Sequence, residues 1–409
     1  MAMLSGFQRG RRQHMKIMHA CARDRAPHTI VMLAILGLAA VVFNSCQGSI
    51  ISGERLAREG DALNDAGHFK EALSSLNQAI ALDPGYAPAY LFRADAFRGM
   101  GDCQKALEDV DRAIALQPHS ARAYARRGEL YRESGQLEKG LETCSRAVSL
   151  DPDYVGAYLN RAQIYGQLGR TSEALVDIEK VTSLDPRSAY AYVRRGQIYS
   201  DELHQNEKAM ADFEKAVNLD EKNAWAHAMR GMSFLGMGKP KEALSDCDRA
   251  LSLAPGMAKF YEYRSRVYWS TRQPEKALAD LDRAIELNPG LVAAYYGKAC
   301  IYENAGDYAK ALPECEKAIR KDHDGSPWLP AALSLRGLIH MKLKQFNLAV
   351  QDFSKVISLR PQQIQAGPYR DRASAYEAMG KHDLAARDRK KASSLPSPGT
   401  GPSVKMVVP

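Results

Sequence analysis

ARAYARRGELYRESGQLEKGLETCSRAVSLDP runs from Ala121 to Pro152, and VGAYLNRAQIYGQLGRTSEALVDIEKVTSLDP follows from Val155 to Pro186. The two segments share a Tyr near the start, a basic residue three places later, a Tyr four further on, a Gly, an acid and a closing Leu-Asp-Pro. Such closing triplets, more or less intact, recur along the chain. They end at Pro84, Pro118, Pro152, Pro186, Glu221, Pro255, Pro289 and Pro361, and from Pro84 to Pro289 the steps are 34, 34, 34, 35, 34 and 34. A degenerate copy, Lys321-Asp322-His323, follows Pro289. A fixed period of this length is the mark of a stacked repeat array.

Copies begin at Gly53, Ala87, Ala121, Val155, Ala189, Ala224, Ala258, Val292, Pro330 and Ala366. Within a copy, aromatic residues favour place 4 (Tyr90, Tyr158, Tyr192, Tyr261) and place 11 (Phe97, Tyr131, Tyr199, Tyr268). Small residues favour places 8, 20 and 27, Gly favours place 15 and Pro place 32. The spacings 4-8-11 and 20-24-27 have the rhythm of two helices, the first ended by Gly and the second by Pro. No stretch alternates with the period of a strand. Folded back at place 15, the copy sets place 4 against 27 and 11 against 20, a ring against an alanine each time. Copy five carries one extra residue near His204–Gln205, and Ser326–Leu329 interrupts the array before copy nine.

This pattern resembles the tetratricopeptide repeat family. The resemblance covers residues 53–392 and implies an all-α, superhelical solenoid of about ten antiparallel helix hairpins. Charged Arg387, Arg389, Lys390 and Lys391 give the last helix the polar character of a terminal cap. Residues 393–409, rich in Pro, Ser and Gly, read as a disordered tail.

Place 7 is basic almost throughout, and place 23 is acidic. The expected pairs are Arg93 with Asp109, Arg161 with Asp177, Arg195 with Asp212, Arg230 with Asp246, Arg264 with Asp280, Lys298 with Glu314, Arg336 with Asp352 and Arg372 with Asp388. Copy three breaks the rule, with Arg127 facing Thr143. Paired charges are tolerated between helices where lone ones are not, so the row is read as structural. The alternative is a line of arginines that binds anions. Arg194 and Arg126, at place 6, have no such counterpart and read as available charges.

The resemblance also implies a concave surface lined by first helices at places 2, 5, 9, 12 and 13. Near the start these hold Glu54, Asp61, Asn64, Asp65 and Asp95; later they turn apolar. Trp225, Met232, Leu235, Trp269, Tyr296, Leu338 and Met341, with Tyr263, Arg194 and Arg126 beside them, form the candidate partner groove. Packing between neighbouring copies is the competing reading of the apolar ones. One family subtype grips C-terminal carboxylates. Asn160 and Arg194 fit its pattern, but Ala125, Glu129 and Tyr190 depart from it, so no such clamp is expected.

The net charge of +8 is unevenly placed. Arg9, Arg11, Arg12, Lys16, Arg23 and Arg25 against Asp24 carry five of it, and Lys405 one. The nearly neutral body argues against a nucleic-acid partner. Residues 1–28 form a basic N-terminal region, with Met15 and Met18 as alternative starts. Residues 29–52 contain IVMLAILGLAAVVF, Ile30 to Phe43, an unbroken apolar run. Basic residues before a short apolar run read as a secretory signal. FNSC, Phe43 to Cys46, resembles a bacterial lipobox with Phe and Asn in unusual positions, which would make Cys46 a lipidation site. An uncleaved anchor is the third reading. All three place the protein in the cell envelope of a bacterium, anchored or periplasmic.

Neither Cys nor His residues show metal-ligand spacing, and no phosphate loop, dinucleotide fingerprint or nucleophile elbow occurs. No metal, cofactor, small-molecule substrate or catalytic residue is expected. The resulting expectation is a non-enzymatic scaffold that binds a protein or peptide. A non-catalytic subunit of an enzyme complex is the alternative, and a nucleic-acid binder is less favoured.

Overall fold

The computed structural model describes residues 52–322, 328–359 and 366–395. All regular elements among them are helices, twenty α-helices and one π-helical turn, and they form an α-solenoid of helix hairpins. They are α1 (52–65), α2 (Phe69–Leu82), α3 (Ala87–Gly99), α4 (Cys103–Leu116), α5 (Ala121–Glu133), α6 (Leu137–Leu150) and α7 (Val155–Gln167), then α8 (Thr171–Leu184), α9 (Ala189–Gln197), α10 (Asn206–Leu219), α11 (Ala224–Gly236) and α12 (Pro240–Leu253). There follow α13 (Ala258–Ser270), α14 (Pro274–Leu287), α15 (Val292–Asn304), α16 (Tyr308–Lys321), α17 (Trp328–Lys342), α18 (Phe346–Leu359), α19 (Ala366–Ala378) and α20 (His382–Ser394).

Two compact units divide between Leu168 and Gly169, in the turn of copy four. Within the first, α3 packs on α4 and α5 on α6, and the first helices α3, α5 and α7 touch in succession. Within the second, α9 packs on α10, and the same pairing repeats to α19 on α20; the first helices α9, α11, α13, α15, α17 and α19 again touch in succession. First helices therefore share one face of each unit.

Local chemistry explains the helix ends. Asp102, Ser120, Ser188, Asn223 and Asp307 each accept a hydrogen bond from the backbone N–H three residues on, satisfying a donor that helix geometry orphans. The glycine of place 15 has positive φ in seven copies, Gly135 at 74° for example. In copies five, seven and nine His204, Arg272 and Lys344 take this conformation at 53°, 58° and 58°. The extra residue of copy five, expected near His204–Gln205, is absorbed earlier, in a single π-helical turn at Ile198–Glu202. A wider turn takes up one residue without moving the helix end off its neighbour.

Alanine and ring positions meet as the fold-back requires. Tyr90 and Ala113 share one buried cluster, against which Phe97 packs beside Ala106. Tyr199, Ala209 and Phe213 share another. Place 8 is small because place 24 is large: a Cβ on Gly196 would stand 2.6 Å from Phe213, and one on Gly337 would stand 2.7 Å from Phe353.

Candidate functional site

The basic row of place 7 lies between the two helices of each hairpin. In six copies the guanidinium grips the place-23 carboxylate with two parallel bonds, a geometry open to arginine and closed to lysine. Arg93 Nε and Nη2 donate to Asp109 at 2.8 and 2.7 Å, and Arg195 donates to Asp212 at the same distances. Arg230–Asp246, Arg264–Asp280, Arg336–Asp352 and Arg372–Asp388 repeat the arrangement. All six aspartates are buried. The hydrogen bonds to these acids hold Arg93, Arg195, Arg230, Arg264, Arg336 and Arg372 above the usual guanidinium range, against the opposing effect of burial.

Two features of this row went unread in the sequence. The first is place 25 of the preceding hairpin, which holds a polar or acidic side chain. Arg93 Nη1 donates to Asn77 at 2.7 Å, Arg264 to Asp248 at 2.8 Å and Arg372 to Ser354 at 2.9 Å. One cation thus ties its own hairpin together and ties it to the one before. The second is the ring pair of places 4 and 11, which brackets the cation. The Arg264 guanidinium carbon lies 5.7 Å from the Tyr261 and Tyr268 centroids, and Arg93 lies 5.6 and 6.0 Å from Tyr90 and Phe97. The sequence signal was present: residues at place 25, from Asn77 through Asp111, Glu179, Asp248 and Asp282, are polar in every copy to Ser354.

Two copies depart from the simple rule. Lys298 stands 4.0 Å from Glu314 and instead binds Asp282 at 2.6 Å, while Glu314 binds Lys317 at 2.8 Å. The single ammonium cannot serve two acids as a forked guanidinium does. Arg127 donates to Asp111 at 3.0 Å, because Thr143 turns its hydroxyl to Lys139 O; the Arg127 Nε is buried without a partner. Arg161 and Asp177 belong to different units. Arg161 donates to Ser145 in its own unit and lies over Tyr158 and Tyr165, and Asp177 is buried.

On the first-helix face of the first unit, Arg126 is not an available charge. It meets Asp95 at 3.0 Å and Glu129 at 2.6 Å, and Arg98 meets Glu129 at 2.8 Å. Acids at place 9 of successive copies neutralise it. Burial pushes the Asp95 carboxyl up, against the pull of Arg126 and Arg98. Asn160, the residue of this unit that fits the clamp pattern, donates to Ala125 O at 3.1 Å.

In the second unit the first-helix face carries most of the candidate groove. Trp225 is 38% exposed and rests edge-on against Phe260, and Leu338 is 41% exposed. Met232, Leu235, Tyr263, Tyr296 and Met341 are half-buried. Arg194 donates to Gln197 at 2.9 Å within its own helix. Trp269 departs from the groove reading: it is buried among Ala277, Leu281, Ala294 and Ile301, in the core of α13, α14 and α15. It serves the packing between copies, the competing reading of that position. Burial drives the Tyr263 and Tyr296 hydroxyls above the tyrosine range.

Among the described residues no group of His, Cys, Asp or Glu is placed to hold a metal ion. Burial pushes the Cys247, Cys300 and Cys315 thiols up to about 12, so at neutral pH they are not nucleophiles. No helix of the described residues is long and apolar enough to cross a membrane. Residues 1–51, with the basic region, the apolar run and Cys46, lie outside the described residues, as does the tail from 396 on.

Comparison with protein families finds the tetratricopeptide repeat over residues 58–99, 93–155, 228–292 and 264–327 in one form, and over 155–188, 189–223 and 330–363 in another. No curated protein matches the chain. Among solved structures it is similar to a tetratricopeptide repeat protein from Parabacteroides merdae, at 21% identity and a TM-score of 0.52, over 62% of this chain and 98% of that one. It is also similar to the Cut9–Hcn1 hetero-tetramer of the APC/C, at 14% identity and a TM-score of 0.52, over 84% of this chain and 81% of that one. At these identities the likeness concerns the fold alone. Repeat period, hairpin geometry and family matches agree, and the chain belongs to the tetratricopeptide repeat family, whose stacked hairpins support protein–protein interaction.

Proposed function

We propose that this protein is a non-enzymatic scaffold that takes a protein or peptide partner along the first-helix face of its second unit, and that residues 29–52 place it in a bacterial cell envelope. The carrying observation is the exposure of Trp225 and Leu338 on that face, at 38% and 41%. Half-buried Met232, Leu235, Tyr263, Tyr296 and Met341 continue the apolar surface between them. Large apolar side chains held on rigid helices bind with little ordering cost, and a few such anchors carry most of an interface's affinity. Arg194 offers a charge beside them. The envelope part rests on the sequence: the basic stretch, the run Ile30–Phe43 and Cys46.

A photo-cross-linking residue at position 225 or 338 tests the partner face, with the same residue at Val176 as control. Val176 is 64% exposed and lies on a second helix. Capture of the same proteins at all three positions would refute the face assignment. Mass spectrometry of the mature N-terminus decides between a lipidated Cys46, a cleaved signal and a retained anchor; recovery of the protein from the cytoplasm alone refutes all three.

A further inference from the structure

Three first helices converge near the middle of the second unit's face. Lys259 and Glu262 lie on the first turns of α13, with Tyr263 beside them. Tyr296 comes from α15, and Trp328 opens α17. The Lys259 ammonium stands 5.2 Å from the Tyr263 centroid and 5.9 Å from the Trp328 centroid. It lies 3.3 Å from Glu262 Oε2. Tyr296 backs the Trp328 ring at 5.6 Å between centroids. Two aromatic faces and a carboxylate around one ammonium make a cation cage.

The cage is occupied, but imperfectly. Glu262 is 4% exposed, and its Oε2 makes no hydrogen bond, since Lys259 approaches it as an ion pair without hydrogen-bond geometry. A buried carboxylate oxygen without a donor is a deficit the fold does not normally tolerate. Lys259 sits three residues before Glu262 on the same helix, so its stem must bend along the helix surface to reach, and its side chain remains 30% exposed. An ammonium arriving along the face, free of that tether, is able to point a hydrogen directly at Oε2.

The geometry points to a site for a lysine side chain of the partner, formed by Glu262, Tyr263 and Trp328, with Lys259 as a displaceable stand-in that fills it in the free protein. This rests on the proposed partner face and names the chemistry recognised there. A lysine is favoured over an arginine because the present occupant is an ammonium and the buried acceptor that lacks a donor is the single atom Oε2, which suits a point charge and not a planar fork. Asp201 adds negative charge nearby: its carboxyl, pushed up by burial, feels both Arg266 and Lys259.

The test uses the full chain and Nα-acetyl-lysine N-methylamide as the probe, read by the fluorescence of Trp328 against a Trp328→Phe control. Lys259→Gln and Lys259→Met remove the tethered competitor. Each should bind the probe roughly tenfold more tightly than the unsubstituted protein, which must first release its own lysine. Each should also prefer it roughly tenfold over the Nε-acetylated form, and adding Glu262→Gln should abolish that preference. Equal binding of the charged and acetylated probes, or of the arginine analogue, overturns the lysine assignment. In the unsubstituted protein the probe should at least double the rate at which an amine reagent labels Lys259, with Lys310 unchanged; an unchanged Lys259 rate overturns the stand-in role whether or not the variants fold. Cross-links at positions 225 and 338 that persist when these experiments fail refute the cage alone; their loss refutes the partner face as well.

Discussion

Arg195→Ala removes three donors at once. Two go to Asp212 at 2.8 and 2.7 Å, and the third to Thr182 Oγ1 at 3.1 Å. The Asp212 side chain is only 7% exposed, so its carboxylate would remain buried without a counter-charge. Breaking a fully buried pair in this way costs about 3–5 kcal/mol. Arg195 is 22% exposed, which admits water to one side of the pair and lowers the expected loss to about 2–4 kcal/mol. The neighbouring Arg194 bonds only Gln197 on its own helix. Its removal should therefore stay within about 0.5 kcal/mol. Urea unfolding followed by circular dichroism measures both, and the cooperativity of the transition should be checked, because stacked repeats need not unfold as one unit. Adding Asp212→Asn to Arg195→Ala should recover about 1 kcal/mol by removing the stranded charge. An Arg195→Ala protein within about 0.5 kcal/mol of the parent, or one no less stable than Arg194→Ala, would refute the structural reading of the whole row.

Copy three offers the converse. Thr143→Asp should supply the missing acceptor to Arg127 Nε and raise stability by about 1 kcal/mol, and a loss in urea unfolding would show that Asp111 already holds the cation elsewhere. Arg272 is exposed at φ 58°, where a glycine sits in most copies, so Arg272→Gly should raise the melting temperature through relief of roughly 1 kcal/mol of left-handed strain. Gly337→Ala should cost about 1–3 kcal/mol, since its Cβ would stand 2.7 Å from the Phe353 ring; calorimetry showing no change would mean that the ring gives way freely.

Legibility followed the distance over which each feature is decided. Helix ends are local: a glycine at the turn, as at Gly135, and a proline two places after the second helix are visible within most single copies. The pairing of places 7 and 23 was legible because ten copies repeat one hairpin, so changes at its two ends can be compared inside a single chain. The link from place 7 to place 25 of the previous copy was not read, although Asn77, Asp111 and Asp248 are plain in the sequence. Contacts between hairpins depend on how one stacks on the next, and the period alone does not state that angle. Trp269 and Arg126 show the same limit. Trp269 occupies a groove place by number and Arg126 stands beside one, yet the first is enclosed by α14 and α15 and the second is neutralised by Asp95 and Glu129.

The sequence by itself determined the helix pair, its turn, its repetition and the family. It did so because hydrophobic period, glycine and proline act within a single hairpin. Tertiary stacking decided which charges are spent inside the protein and which face outward. Arg194 and Arg195 are neighbours in the chain, but a rotation of about 100° between successive helical residues sends one toward Asp212 and leaves the other on the open face. The meeting of Lys259, Glu262, Tyr263 and Trp328 is a product of stacking too, because it needs first helices from separate hairpins brought side by side.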